Sequence, residues 1–529
     1  MSKIRKATTL TLSLLLMLNA VACSNNNNSK QEVTASTEKV KVDTNNNIFS
    51  ADLDDYKGSG ETLSMYTVGG APEDHDKVFA EVNKYLKEHL NVNINLTYFS
   101  WGEYGTNMNT KINGGEYYDM TWGPDLVGVN EFARDGLFYD VSKLLPAAPN
   151  LKALIPDTVW KGVTLVDGSI FGVPTYKDSS ATQYWIYDKE YLSKSGMDEK
   201  TVQNVKTLED LDPIVEEMKK KNPDTNPMLM TSAGIQNLNY DYELVAGPGP
   251  VAVKFGTTEV VNLFKQDEVK RRFELLHKWY SKEIINQDFV PFGELDNSQL
   301  HIWAAQGYPG VGVQWERNHN APIVSVPRLG PMFTTTTIQG SYWTINAAAK
   351  YPVDAIKVLE RINVDPYLRN LMAYGIEGEH YKFVDKEKNI IVKTDNGKYD
   401  PLIYQQGQFM NLYTVAPQVT EANAKDYPNL KIGDPIMELA NPNQWQEVHE
   451  VNKKAEVSKL LGFIFDPSNV ETEISALGNV TSKYFEPLHT GKGNTDEILP
   501  KMLQEMEQIG IDKVIKEAQK QIDEFLAKK

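Results

Sequence analysis

Between residues 61 and 121 the chain reads strand, helix, strand, helix, strand, and that order leaves few folds open. Residues 62–68 alternate apolar and polar side chains and are closed by Gly69 and Gly70. Pro72, Glu73 and Asp74 then open a helix, where proline is tolerated and acidic groups favour the N-terminal dipole. Val78, Phe79, Val82, Tyr85, Leu86 and Leu90 fall on one face of it at helical spacing. A second strand is expected over 92–99, a second helix over 101–112 and a third strand over 118–121. Such a run predicts right-handed crossovers and a parallel sheet whose ligand edge lies at the strand C-termini.

At those ends stand Gly69 and Gly70, then Trp101, then the turn Trp122-Gly123-Pro124-Asp125. Tryptophans at consecutive strand ends are the first chemical signal, because an aromatic ring offers a broad flat face suited to the apolar faces of sugars. Trp122 sits in loop-like composition, and Asp125 can accept hydrogen bonds from hydroxyls.

At 529 residues the chain exceeds one compact core, which sets two large lobes as the expectation. A formal net charge of -17 argues against nucleic acid and anionic lipid as partners, since both repel such a surface. The single cysteine, Cys23, ends a leader made of Lys3, Arg5 and Lys6, an apolar run over 10–18, and then Ala20, Val21 and Ala22. Basic, apolar, small is the order of a secretory signal, and the apolar part falls short of the roughly 20 residues of a membrane span. A cysteine directly after small residues resembles a bacterial lipoprotein cleavage site, where residues 1–22 are removed and the Cys23 thiol is acylated, as with palmitate. Ala20 stands where that motif usually has leucine. No thiol then remains for a disulfide, a thiolate metal site or a nucleophile. Residues 23–60 have few apolar side chains and read as a flexible tether.

Further along, Asp167-Gly168 between apolar runs signals a hairpin whose second strand leads through Pro174 to Tyr176, Lys177 and Asp178. Residues 189–306 read as mostly helical: Thr207 caps a helix from Leu208, and the line Phe273, Leu276, Trp279, Tyr280 buries Trp279 in a core. The stretch 247–252 formally fits a dinucleotide loop, but its two prolines remove the amide donors such a loop needs. Near the end, Gly510 stops one amphipathic helix, and Val514, Ile515, Ile522, Phe525 and Leu526 define a last one; both are structural.

"DGLFYDVSKLL" followed by "DGSIFGVPTYKDSSATQYWIYDKEYLSKSGM" resembles the family 1 extracellular solute-binding proteins of bacterial ABC importers. "DPYLRNLMAYGIEGEHY", "LGFIFDPSNVETEISALGNVTSKYFEPL" and "DEILPKMLQEMEQIGIDKVIKEAQKQIDEFL" resemble its LipO-like lipoprotein branch. The resemblance implies an α/β fold of two hinged lobes with a ligand cleft between them, the type II periplasmic-binding-protein form. Lobe one is expected over 61–176 plus 338–374, and lobe two over 177–337 plus 375–529. It implies a carbohydrate ligand, an oligosaccharide before a monosaccharide, and a membrane permease as partner. The protein is expected as a lipid-anchored monomer on the outer face of a Gram-positive membrane. Residues 306–315 resemble a family strand ending at a cleft tryptophan, Trp315. The site expected from loops facing the gap is Trp122, Asp125, Lys177, Asp178, Trp185, Trp315, Tyr342, Trp343 and Glu377.

The sequence shows no GxSxG elbow, no HExxH and no phosphate loop, and its eight histidines lack metal-ligand spacing and read as mostly surface groups. The expectation is therefore a binder with no catalysis, cofactor or metal. Three other readings compete: a binding protein for peptide or another polar solute, a surface glycosidase or lyase, and a sensor or adhesion lipoprotein.

Overall fold

The computed structural model describes residues 31, 33–41, 53–124, 126, 129–247, 249–291, 295–394, 398–401 and 413–528. Cys23 and Asp125 lie outside the described residues.

The opening strands form where alternation places them. β1 (Thr62–Val68) buries Leu63, Met65, Thr67 and Val68. α1 (His75–Leu90) buries Val78, Phe79, Val82, Leu86 and Leu90, and Asn91 ends it in the left-handed region. β2 (Asn93–Phe99), α2 (Tyr104–Asn113) and β3 (Met120–Trp122) complete the βαβαβ unit. The chain then runs through β4 (Val173–Pro174) into β5 (Ala181–Asp188). α3 (Leu208–Lys221) starts at Thr207, whose hydroxyl accepts from Asp210 N while Asp210 accepts from Thr207 N, a reciprocal cap.

β6 (Tyr242–Leu244), β7 (Val251–Lys254) and β8 (Val260–Asn262) make a three-stranded antiparallel sheet inside the stretch read as helical. These strands have three or four residues, too few to show alternation. α4 (Asp267–Ser281) follows, with Trp279 fully buried as expected. β9 (Ile302–Gly307) ends before Tyr308, so the expected strand over 306–315 turns instead, and Trp315 rides on α5 (Gly312–His319).

β10 (Ile323–Phe333) returns the chain to β11 (Tyr342–Ile345), α6 (Pro352–Val364) and α7 (Pro366–Tyr374). β12 (Tyr381–Asp385), β13 (Ile390–Lys393) and β14 (Thr414–Val415) make a small sheet. α8 (Gln444–Lys454) and β15 (Glu456–Val457) precede the closing helices α9 (Glu471–His489), α10 (Thr495–Ile509) and α11 (Ile511–Lys528). Gly510, at φ 100°, separates the last two.

Two sheets organise two cores. The first has the order β2-β1-β3-β11-β4, with β1 parallel to β2 and β3, and β11 antiparallel to β3 and β4. The second has the order β15-β10-β5-β9. One apolar cluster gathers residues of 53–176 and 333–372 with Tyr399, Val448 and Leu461; the other gathers residues of 185–304 with Val326 and residues of 460–522. The segment after Gly375 does not pass straight to the second lobe. His380 Nε2 lies 3.2 Å from Asp74 Oδ2 at the start of α1, and Lys77 of α1 pairs with Glu379; further along, Lys425 pairs with Glu190, and β15 joins the second sheet at 456–457. Those contacts are polar and far apart in sequence, so periodicity carries no trace of them.

The expected tether is in part a strap on α6. Gln31 Oε1 accepts from Val353 N and Asp354 N at 3.0 and 3.2 Å, capping that helix. Tyr56 OH donates to Asp354 Oδ1 at 3.0 Å, and Ser59 N to Asp354 Oδ2 at 3.0 Å. Lys357 Nζ pairs with Glu360 at 2.7 Å and with Glu38 at 3.1 Å, all three side chains being nearly inaccessible. Every residue of α6 is buried. Burial pushes the Glu360 carboxyl up despite Lys357 beside it. Low apolar content hid this docking, because the strap satisfies polar groups rather than burying oily ones.

Removing the cation of a buried cluster leaves uncompensated carboxylates, at a cost of about 3–5 kcal/mol. Lys357→Met is expected to lose about that much stability in urea unfolding, and adding Glu38→Gln with Glu360→Gln to recover most of it.

Candidate functional site

β1 lies between β2 and β3, so the chain leaves β1 to one side and returns past it to the other. The crevice at that reversal, outside the strand C-termini, is where open α/β sheets bind ligands. β4 runs parallel to β1 through the intervening antiparallel β11, so its exit residues emerge at the same edge. There Trp101 is 52% exposed, while Trp122 is only 2% exposed. The rings meet edge to face at 5.8 Å, and Trp122 Nε1 donates to Ser341 Oγ at 3.3 Å. Trp122 is thus the buttress and Trp101 the presented face. In the sequence Trp101 stands at a strand end, and the turn-like context of Trp122 is the stronger local signal.

The exit from β4 sets an ion pair, Lys177 Nζ to Asp178 Oδ1 at 2.7 Å. Asn452 of α8 fixes its backbone: Nδ2 donates to Lys177 O at 2.6 Å, and Oδ1 accepts from Ser180 N and Oγ at 3.0 and 2.7 Å. Burial chiefly pushes the phenols of Tyr240 and Tyr308 up, with the charges of Glu243 and then Asp178 adding at Tyr240 and that of Asp178 at Tyr308. The neighbouring ends of β5 and β9 carry an amide network. Gln183 Nε2 donates to Gln306 Oε1 at 3.3 Å, Asn237 Nδ2 to Gln183 Oε1 at 3.0 Å, and Tyr240 OH to Gln306 Oε1 at 3.4 Å. Trp315 packs edge-on to Tyr184 at 5.4 Å. Its ring lies so close over Gly307 that a Cβ there would meet it at 2.6 Å.

Of these groups Asn237, Tyr240 and Trp315 line a cavity of about 1140 Å3, together with Glu243 and Trp303; its lining comes from residues 228–336 and 481–489 and takes nothing from the β1 edge. Glu243 on β6 accepts from Ser458 Oγ at 2.6 Å, and Ser458 N donates to Phe333 O at 2.8 Å, joining the cavity wall to two connecting segments. Burial lifts the Glu243 carboxyl to about 7, against a smaller opposite pull from the Ser458 hydroxyl.

Glu377 is exposed on the turn after α7, beside the aromatic group of Tyr374, Tyr381 and Tyr413. Trp445 links that group to the cavity side, since its Nε1 donates to Tyr413 O at 2.9 Å and its ring lies 6.0 Å from Tyr308. Three expected contacts are core instead. Trp185 is 1% exposed, with its indole donating to Lys206 O at 3.3 Å and the Arg328 guanidinium 5.1 Å from its ring. Tyr342 is fully buried against Gly123 and Gly172, where any Cβ would strike its ring. Trp343 is paired between Trp122 and Val173. β11 is covered on both faces, which a four-residue strand cannot reveal.

The histidines differ from expectation too: His319, His380, His449 and His489 are buried. Asp74, Glu379 and His380 come close enough together to hold a cation. However, His380 Nδ1 accepts from Ile376 N at 2.9 Å, so the ring proton sits on Nε2, facing Asp74. The trio acts as a clamp between α1 and the turn after α7.

Residues 73–360 match the family model described as bacterial extracellular solute-binding protein, and residues 459–527 match one described as a domain of unknown function, DUF3502. A carbohydrate ABC transporter substrate-binding protein of Streptococcus pneumoniae serotype 4 (strain ATCC BAA-334 / TIGR4) is 28% identical over 481 residues, covering 89% of this chain and 92% of that one. The crystal structure of the N-glycan transport solute binding protein NgtS from Streptococcus pneumoniae superposes with a TM-score of 0.77 at 25% identity, over 88% of this chain and 99% of that one. Its complex with Man5GlcNAc gives 0.69 at 25% identity, over 89% and 99%. An HMO binding solute binding protein of Bifidobacterium longum infantis, 17% identical over 88% and 98%, shares the fold at a TM-score of 0.55.

Glu243 generates a pH test. With its carboxyl at about 7 folded and 4.5 ordinarily, the folded chain holds the extra proton between those values and loses stability as pH rises through them. Glu243→Gln keeps an acceptor for Ser458 without the charge. Its melting temperature relative to wild type is expected to rise from pH 4.5 to pH 8, by the equivalent of roughly 2–3 kcal/mol.

Proposed function

The chain belongs to the bacterial extracellular solute-binding proteins, and from that membership we propose that it captures a carbohydrate, more narrowly an oligosaccharide, between its lobes and hands it to the permease of an ABC importer. The observation that carries this reading is the make-up of the cavity wall: the ring of Trp315 stands with the Asn237 amide and the Tyr240 phenol, which bond to Gln183 and Gln306 behind them. Rings supply apolar contact to sugar faces, while amides and phenols replace the hydrogen bonds that hydroxyls make to water. A space of about 1140 Å3 also exceeds the roughly 300–1,000 Å3 usual for ligand pockets, which favours several linked units. The proposed contacts are Trp101, Lys177, Asp178, Tyr240, Trp315 and Glu377, with Trp122 as support.

The ligands named for the similar NgtS complexes, Man1GlcNAc and Man5GlcNAc, make fragments of mannose and N-acetylglucosamine the first candidates. Closure would turn lobe one, built on 61–176 and 338–374, against lobe two about the connecting segments. The family is one of binding proteins, and the ligand is released intact. Residues 1–22 serve as an export leader and Cys23 as the lipidated residue of a monomer on the outer face of a Gram-positive membrane. From Cys23 to the strap at Gln31 the chain can reach at most roughly 28 Å. The anchor therefore holds lobe one close to the bilayer.

Calorimetry with manno- and chito-oligosaccharides, monosaccharides and peptides tests the reading. Oligosaccharides are expected to bind and peptides not. Trp315→Ala should weaken the oligosaccharide at least about tenfold, or ~1.4 kcal/mol. Binding to no glycan would sink the proposal, and shorter products after long incubation would turn it toward an enzyme.

A further inference from the structure

The cavity bordered by Tyr240 and Trp315 has a second wall on α9. Thr481, Ser482, Phe485 and His489 line it, whereas Leu477, Val480, Tyr484 and Leu488 of the same helix are buried in the second core. The spacing of four between Thr481, Phe485 and His489 sets them along one helical face. Phe485 is a large apolar side chain left 37% exposed. Its ring lies flat on the His489 imidazole, with centroids 3.9 Å apart and planes at 13°.

That support is held by several contacts. His489 Nδ1 donates to Phe485 O at 3.0 Å, Phe273 meets the imidazole edge-on at 5.1 Å, and the His489 backbone packs against Gly234, where a Cβ would stand 2.2 Å from its carbonyl oxygen. Burial holds the imidazole down at about 4, so it stays neutral and presents no charge to the ring above it. An exposed ring on a rigid neutral base, one turn from a threonine hydroxyl, is a stacking platform with a hydrogen-bonding neighbour. The lining holds such a ring on each wall, Trp315 on one and Phe485 on the other.

We propose that the α9 wall is a second sugar-binding subsite, in which Phe485 stacks on a ring of the same oligosaccharide that contacts Trp315 and Tyr240. The inference rests on the carbohydrate reading above and deepens it: the ligand is long enough to touch both walls. The DUF3502-matching segment thereby contributes to recognition instead of serving only as packing.

The test is a length series of manno- and chito-oligosaccharides, from one to six units, titrated into the full chain. Phe485→Ala should bind the shortest ligands that wild type binds with unchanged affinity and the longer ones about tenfold more weakly. Phe485→Tyr should restore the longer ones. Phe485 is exposed, so unchanged melting temperatures are expected for both variants. Equal affinity of wild type and Phe485→Ala at every length overturns the subsite while leaving the carbohydrate reading intact. A uniform loss at every length, the shortest included, overturns it as a separate position. Binding of no sugar by wild type removes both.

Discussion

The pairing of β5 with β10 is the constraint from which the two-lobed form follows. The two strands run antiparallel from Asp188 opposite Ile323 to Ala181 opposite Met332, so the chain leaving the first lobe and the chain returning to it share one ladder. β15 joins the same seam where Met332 and Phe333 face Glu456 and Val457. All three connections therefore pass through one narrow band. Asn452 closes the band by bonding both the Lys177 carbonyl and Ser180. Lobe orientation rests on a handful of backbone torsions there, which is the arrangement hinge motions require.

The aromatic side chains divide according to what lies behind them. Trp185, Tyr342 and Trp343 fill cores and carry stability, as large rings in fully covered strands do. Trp101, Trp315 and Phe485 each keep a ring at least partly accessible while a second ring fixes its position: Trp122, Tyr184 and His489 respectively. Pre-positioning of this kind lowers the ordering cost of binding, since the side chain has little rotamer freedom left to lose. The polar side chains of Gln183, Asn237, Gln306 and Tyr240 likewise orient one another through their mutual hydrogen bonds.

Local patterns were readable from the residues, and long-range polar contacts were not. β1 falls on the residues its alternation indicates, Thr207 caps as its position requires, and Gly510 breaks the helix where only a glycine adopts φ 100° easily. Trp315, singled out by its resemblance to a family motif, sits on a helix and not at a strand end. The strap escaped because Gln31, Glu38 and Tyr56 look solvated, and so do Asp354 and Lys357, which receive them. Tyr240, Asn237 and Phe485 escaped for another reason. Phe485 meets the pair Asn237 and Tyr240 from about 245 residues further along, and only the folded lobe brings them to one cavity.

The strap has one further consequence. It fastens the beginning of the described chain to the first core, whereas α11 buries Ile511, Val514, Ala518 and Ile522 in the second. The two ends of the described chain thus pack on different cores. Fluorophores on exposed Lys39 and Lys528 would change their separation whenever the angle between those cores changes, giving an optical record of the motion without a label near the cavity.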